Sequence, residues 1–493
     1  MMARGASVAV LALFVVAHSP AIAAPKAAAT PKAAAPPPAS AAIVGTWEGK
    51  LAGRIRFVLH VERDNTGTLR STADSPDQGA TGLEIDWIAV AGDSLYFNMT
   101  RLGGSYAGLM NAARTEIDGV WEQGGAAVPL VLHPRGAGAA GAEKESGPVE
   151  PKPPYPYDAM EVTYPNPDAK GVTLAGTLTV PKGATGVPCA VLITGSGPED
   201  RDETIFGHKP FLVLSDYLTR HGIAVLRSDD RGVGGSLGTQ EGATSEDFAS
   251  DVRAAVAFLK TRKEVDPAKI GLIGHSEGGL IGPMVAAGDK SVAFIVLLAG
   301  PGVPGDSILI MQSLLISKSM GYSDSMATSA QAAQRELIVA AKTAPDSAAL
   351  ATKLKVVIQG QIDRLPEAQR QGIGDIDKLA AGQTQLLRAP WMQFFLSHDP
   401  RPVLSQVQCP VLALNGEKDV QISATQNLPA IREALLKGGN KDATVEAIPH
   451  LNHLFQTSQT GSLAEYQTIR ETFSPVALQK IGDWIGARMG RGK

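Results

Sequence analysis

Ser276 sits in Gly274-His275-Ser276-Glu277-Gly278, a G-x-S-x-G pentapeptide. The apolar run Lys269–Ile273 precedes it and reads as a buried strand; Gly279–Ala287 follows and can open a helix. A serine hydroxyl on a sharp strand-to-helix turn is exposed as a nucleophile, and small neighbours leave room for the strained backbone. A hydroxyl attacks a carbonyl only when a base removes its proton, and the base needs a carboxylate to hold its tautomer. In a strand–elbow–helix architecture of this kind the carboxylate and then the histidine follow downstream. Pro410–Asn415 reads as a strand leading into Gly416-Glu417-Lys418-Asp419, and Thr444–Ile448 as another leading into Pro449-His450-Leu451-Asn452-His453. Asp419 and His453 are the leading candidates, with Glu417 and His450 as rivals. No Glu or Cys accompanies His450 and His453 at ligand spacing, so the pair does not read as a metal site.

Four stretches together point further: Ile193–Asp202, Asp229-Asp230-Arg231-Gly232-Val233-Gly234-Gly235-Ser236, the Ser276 pentapeptide, and Leu451-Asn452-His453-Leu454-Phe455. In this order, over about residues 157 to 493, the chain resembles the α/β-hydrolases of the serine aminopeptidase-like (S33-type) esterase group. In relatives the last motif reads Gly-Leu-Asn-His with the final His catalytic, which favours His453 and leaves His450 as its neighbour. The resemblance implies an oxyanion hole from the backbone N–H groups of Glu277 and Ser196. Thr194-Gly195 stands here where many relatives have His-Gly.

Other charged residues invite chemistry but read more simply. Asp230 and Arg231 are expected in an Arg–carboxylate pair that holds a Gly-rich turn. Glu199 to Glu203 is expected to be a solvated, self-paired loop.

The elements that must position these groups come next. From Glu161 to Gly300 strand and helix patterns alternate, the mark of a largely parallel sheet. Val303 to Pro402 is rich in Ala, Gln, Leu and Lys, with Leu309, Met311, Leu314, Leu315 and Met320 at helical spacing. It reads as an α-helical cap inserted between strands six and seven. Trp391, Phe394 and Phe395 fall at i, i+3 and i+4, a stripe that either lines an acyl pocket or packs the cap.

The N-terminal part has another character. Arg4, the apolar run Val8–Ala17 and Ala21-Ile22-Ala23 form a signal-peptide pattern over residues 1–23, so a secreted or periplasmic protein is expected. That run is too short to span a bilayer. Residues 24–42 are an Ala/Pro-rich tether, and 136–156 a second linker before a catalytic domain at 157–493. Between the linkers, 43–135 shows short alternating runs: Ile55, Phe57, Leu59 and Val61 share one face, and Leu83–Val90, Ser94–Met99, Thr115–Glu122 and Val128–His133 follow. Asp64-Asn65-Thr66-Gly67 is a hairpin signal. These runs predict a small antiparallel β domain, barrel or sandwich, and Gly45-Thr46-Trp47 and Gly119-Val120-Trp121 resemble the Gly-x-Trp signature of lipocalin-like barrels.

The 493 residues carry a net charge of −4, which gives no sign of nucleic-acid binding. The two cysteines, Cys189 and Cys409, fall at the starts of predicted strands three and seven; in the fold the chain resembles, strands five and six lie between them. Three steps of about 4.8 Å exceed what a disulfide can bridge, so two buried free thiols are expected. The expected activity is that of a carboxylesterase acting through an acyl-enzyme on a small ester or short peptide, with no cofactor. The alternatives are an aminopeptidase, using acids such as Glu277 or Glu336 to hold a free amine, and a non-catalytic binding protein built around the β domain. Oligomeric state is left open.

Overall fold

The computed structural model describes residues 43–490, apart from 52–54, 65–67, 79, 92, 100–101, 124–125, 136–148, 364–369, 371–374 and 468. The signal-peptide, tether and linker expectations over 1–42 and 136–148 therefore lie outside the described residues, as does the hairpin tip at 65–67. The chain divides into two compact units, one spanning 21–146 and the other resuming at Gly147 and running to the C-terminus.

The larger unit is built on eight strands: β1 (Tyr157–Pro165), β2 (Thr173–Pro181), β3 (Val187–Ile193), β4 (Ala224–Ser228), β5 (Val265–His275), β6 (Ile295–Leu298), β7 (Val411–Gly416) and β8 (Ala443–Ile448). They lie in the order β1-β2-β4-β3-β5-β6-β7-β8. β2 is antiparallel to both neighbours and every pair from β4 to β8 is parallel. The fold is an α/β-hydrolase sheet. Side chains alternate across it with the period of two that a strand imposes. Cys189, Val191 and Ile193 of β3 enter one core, and Ala190 and Leu192 the other. Because both faces are covered, these strands are continuously apolar rather than alternating. Helices α2 (Ser245–Leu259), α3 (Gly278–Gly288) and α10 (Ala424–Lys437) cover the first face; α1 (Pro210–Arg220) and α11 (Pro475–Met489) cover the second.

Between β6 and β7 stand α4 (Gly305–Ser319), α5 (Asp324–Thr343), α6 (Ser347–Asp363), α7 (Ile376–Arg388), α8 (Pro390–Ser397) and the short α9 (Pro400–Leu404). Leu309, Leu337, Ile338, Leu350, Leu354, Ile358, Leu387, Met392 and Leu396 give this cap a core of its own. The face of α4 differs from the expected stripe. Its buried side chains are Ile308, Leu309, Ser313, Ile316 and Ser317, and Met320 is exposed just past the helix end. Two serines on the buried face had disguised its period.

Cys189 is buried in β3 and Cys409 lies just before β7, with β5 and β6 between; both are free thiols. Cys409 is only half-buried, a correction to the expectation of two buried thiols, because it precedes the strand rather than entering it.

In the smaller unit two five-stranded antiparallel sheets share one core, in which Trp47, Phe57 and Leu59 from one sheet meet Phe97, Tyr106 and Trp121 from the other. Both Gly-x-Trp tryptophans are thus buried. Ser94–Met99 is a strand with the expected bounds, whereas the run expected over 83–90 breaks into Ala80–Glu84 and Trp87–Ala91. Ile85 is buried and Asp86 exposed at the break, where the chain leaves one sheet for the other. Glycine-rich Gly104–Met110 is also a strand, which its composition hid.

Candidate active site

Ser276 lies between β5 and α3 with φ +52°. A left-handed non-glycine residue costs on the order of 1 kcal/mol or more, and the surrounding packing must impose it. Its own N–H is held by Leu298 O at 2.8 Å, and its carbonyl accepts Gly279 N at 2.9 Å. The flanking glycines are required by close approach. A Cβ at Gly274 would lie 2.0 Å from Gly278 O, and one at Gly278 2.2 Å from Ile193 O. The elbow can turn only where these side chains are missing.

Asp419 follows β7 and His453 follows β8, so both reach the carboxyl edge of the sheet beside Ser276. Loops at this edge are where sheets of this kind build sites. His453 Nδ1 is 2.8 Å from Asp419 Oδ2. The carboxylate is held by three further donors: Asn415 Nδ2 at 3.1 Å on Oδ2, and the N–H groups of Gln421 and Ile422, each at 2.8 Å, on Oδ1. With Nδ1 donating to Asp419, Nε2 is left as the basic nitrogen. Both residues are buried.

Ser276, Glu277, Ser196 and His453 line one cavity of about 60 Å³, closed by Ile308, Leu309, Trp391 and Phe395 of the cap. The structure therefore brings Ser276, Asp419, His453, Ser196 and Glu277 together. A Cβ built on Gly195 would fall 3.5 Å from Ser276 Cβ, so the loop after β3 passes directly over the elbow. Asp230 anchors that loop, accepting Thr194 Oγ1 at 2.7 Å and Glu199 N at 3.0 Å. Burial pushes its carboxyl up to about 7.

The rivals lie elsewhere. His450 is exposed, and its N–H donates to Glu417 Oε2 at 3.1 Å. Glu417 thus supports the loop after β8. Glu336 is exposed on α5. No cluster of three or more potential metal ligands occurs among the described residues.

The aromatic stripe divides. Trp391 and Phe395 stack at 5.3 Å and line the cavity, whereas Phe394 stacks on His398 at 4.8 Å, outside its lining. On a helix as short as α8, i and i+4 share the inner face and i+3 rotates off it. Trp391 Nε1 also donates to Glu277 Oε1 at 2.7 Å, beside Ser245 Oγ at 2.6 Å. Burial pushes the Glu277 carboxyl up to about 7, against the pull of these two donors.

Arg231 pairs with Asp251 at 2.7 Å, and Arg201 with Asp229 at 2.7 Å. Asp229 also accepts Gly235 N at 2.9 Å, so these pairs hold the Gly-rich turn. The loop 199–203 is not the solvated segment that its charge suggested. Glu203 is buried, and its Oε1 accepts Gly195 N at 2.9 Å and faces His275 Nδ1 at 2.8 Å. His275 Nε2 faces His453 O at 3.0 Å. From sequence His275 carries no role of its own, and Glu203 enters only as one of the charged residues of 199–203. An Asp/Glu/Arg run reads as surface, and only the fold turns one of its members inward.

The esterase EstD of Thermotoga maritima is 24% identical over 314 residues, which cover 63% of this chain and 65% of its own length. The chain thus spans just under two thirds of the curated relative it matches. Among solved structures, the esterase PF2001 of Pyrococcus furiosus superposes with a TM-score of 0.41 at 15% identity, covering 71% of this chain and 100% of that one. Ferulic acid-bound Est1E of Butyrivibrio proteoclasticus superposes with a TM-score of 0.39 at 15% identity, covering 67% and 100%. The sequence model of the X-Pro dipeptidyl-peptidase family, S15, matches residues 170–441, a span that includes Ser276 and Asp419 and ends before His453. That span is more than half of the 493 residues, and the chain belongs to the X-Pro dipeptidyl-peptidase (S15) family of α/β-hydrolases.

Proposed function

We propose that the protein is a serine hydrolase, and that it works as a carboxylesterase. The observation that supports this reading best is Ser276 at φ +52° in one cavity with His453, whose other face is fixed by Asp419 at 2.8 Å. Ser276 Oγ attacks the acyl carbonyl as His453 Nε2 takes its proton. The N–H groups of Glu277 and Ser196 receive the developing oxyanion, and His453 returns the proton to the leaving alkoxide. The acyl group then rests on Ser276 Oγ as an ester. Water, deprotonated by His453, releases it as a carboxylic acid.

The similarity to EstD supports an ester substrate. The small cavity with an apolar cap wall suits a short acyl chain. The S15 match supports a second reading, peptide cleavage by the same acyl transfer with an amine leaving group. Assay on p-nitrophenyl esters of graded chain length, beside aminoacyl- and Xaa-Pro-nitroanilides, separates the two. Turnover of short esters that is lost in Ser276→Ala supports the esterase; preference for the anilides overturns it. We further propose export, on the N-terminal pattern of residues 1–23. A mature chain starting near residue 24 in the extracellular or periplasmic fraction would support export, and an intact N-terminus retained in the cytosol would refute it.

A further inference from the structure

Three loops must keep register for the proposed chemistry: the oxyanion loop after β3, the elbow after β5, and the His453 loop after β8. All three meet on two side chains that the triad does not use. Glu203 Oε1 accepts the N–H of Gly195, the residue directly before the oxyanion donor Ser196, at 2.9 Å. The same oxygen lies 2.8 Å from Nδ1 of His275, the residue directly before the nucleophile. Nε2 of His275 lies 3.0 Å from the backbone oxygen of His453. Both side chains are buried, and the His275 and His453 rings are 4.8 Å apart.

The partners fix the protons. A backbone carbonyl only accepts, so His275 Nε2 carries hydrogen. Nδ1 faces a carboxylate oxygen that already accepts from Gly195, so the proton between them completes either an imidazolium–carboxylate pair or its neutral equivalent. Burial pulls the imidazole down, but the adjacent Glu203, together with the His453 carbonyl and Asp419, outweighs it and the net direction is up. Glu199 also accepts from Gly195 N, at 3.2 Å. Burial, with the nearby Glu203 and Asp230, pushes its carboxyl well above the usual range. The groups facing His275 are thus Glu203, His453 and, at longer range, Asp419.

We infer that Glu203 and His275 are positioning residues for the acyl-transfer step: one buried hydrogen-bonded pair sets the oxyanion loop, the nucleophile elbow and the loop of the catalytic base at one spacing. The inference rests on the acyl-enzyme reading above. Neither residue touches the substrate; each acts through Gly195, Ser276 and His453. A shift of about 1 Å between nucleophile and oxyanion donors can cost on the order of 100-fold in rate.

The test uses the full-length protein and a p-nitrophenyl phosphonate that labels Ser276, with kcat and KM on a short p-nitrophenyl ester taken per labelled site. Glu203→Gln keeps the size and an acceptor but removes the anion. His275→Gln removes the imidazole. The double variant leaves neither member of the pair as an unmatched buried charge, so it remains measurable if a single variant folds poorly. Each single variant should lower kcat and the phosphonylation rate roughly 10- to 100-fold, with KM within about threefold. The double variant should lose less than the product of the singles, because they act as one unit. A purely structural pair would lower thermal stability and leave kcat per labelled site within about twofold of wild type. That result overturns the inference, as do single losses that multiply in full. A wild-type Ser276 that resists the phosphonate overturns the hydrolase reading and this one with it; a reactive Ser276 indifferent to both variants overturns this one alone.

Discussion

At the residue scale the decisive features are a strained serine and a fully held carboxylate. Asp419 receives four hydrogen-bond donors, which leaves it no freedom to rotate away from His453. Ser276→Ala, His453→Ala and Asp419→Asn should each reduce kcat by roughly three orders of magnitude or more, and their losses should not add, since the three act as one unit. His450→Ala, on the surface, should retain near-wild-type kcat. A dead His450→Ala with an active His453→Ala would reverse the assignment of the base.

Glu277 provides a pH test at the same scale. Its folded carboxyl is held near 7 by burial, against about 4.3 in an unfolded chain. The folded state therefore binds the proton more tightly, and stability is lost as pH rises from about 4.5 to 7. Glu277→Gln does not titrate. Its melting temperature relative to wild type should be more favourable at pH 8 than at pH 5. A difference that does not change between these two pH values would show that Glu277 titrates normally.

At the element scale, the cap walls the candidate cavity. Trp391 and Phe395 face the cavity from α8 and Phe394 does not. If the proposed acyl chain lies in this cavity, removing a lining aromatic enlarges its site and opens it to longer chains. Trp391→Ala and Phe395→Ala should shift the preferred p-nitrophenyl ester by two or more carbons, with Phe394→Ala keeping the wild-type profile. An unchanged profile in the first two would place the acyl chain elsewhere.

On the scale of the whole molecule, every residue of the candidate site belongs to the larger unit. That unit holds its own N-terminal segment. Val149 N donates to Arg470 O at 2.9 Å, so the separable chain starts at Gly147 rather than at the first strand, Tyr157. A chain of residues 147–493 should fold and hydrolyse a short ester at a kcat within about threefold of the whole protein. A folded but inactive product would show that the β unit completes the site.

The spacing of the elbow and the apolar strands on both sides of it could be read from residues alone, because a nucleophile elbow and a two-face-buried strand each tolerate few residue types. The candidates Ser276, Asp419 and His453 came from the same logic, since each stands just past a run that reads as a strand end. Where two residues were close in sequence, Glu417 with Asp419 or His450 with His453, the motif resemblance favoured His453 and the fold gave each rival its place, because two or three positions of loop decide which side chain turns to the cavity. The α4 stripe, the split aromatic stripe and the broken strand at 83–90 turned on which face meets a neighbour, a property of packing rather than of order along the chain. The Glu203–His275 pair is the clearest case. Its partners, Gly195 and His453, lie 8 and 178 residues away, and no local pattern distinguishes a buried glutamate in an acidic loop from an exposed one. Residue type and spacing determined which groups could react; the tertiary structure decided what holds them together, because that depends on contacts between loops far apart in the chain.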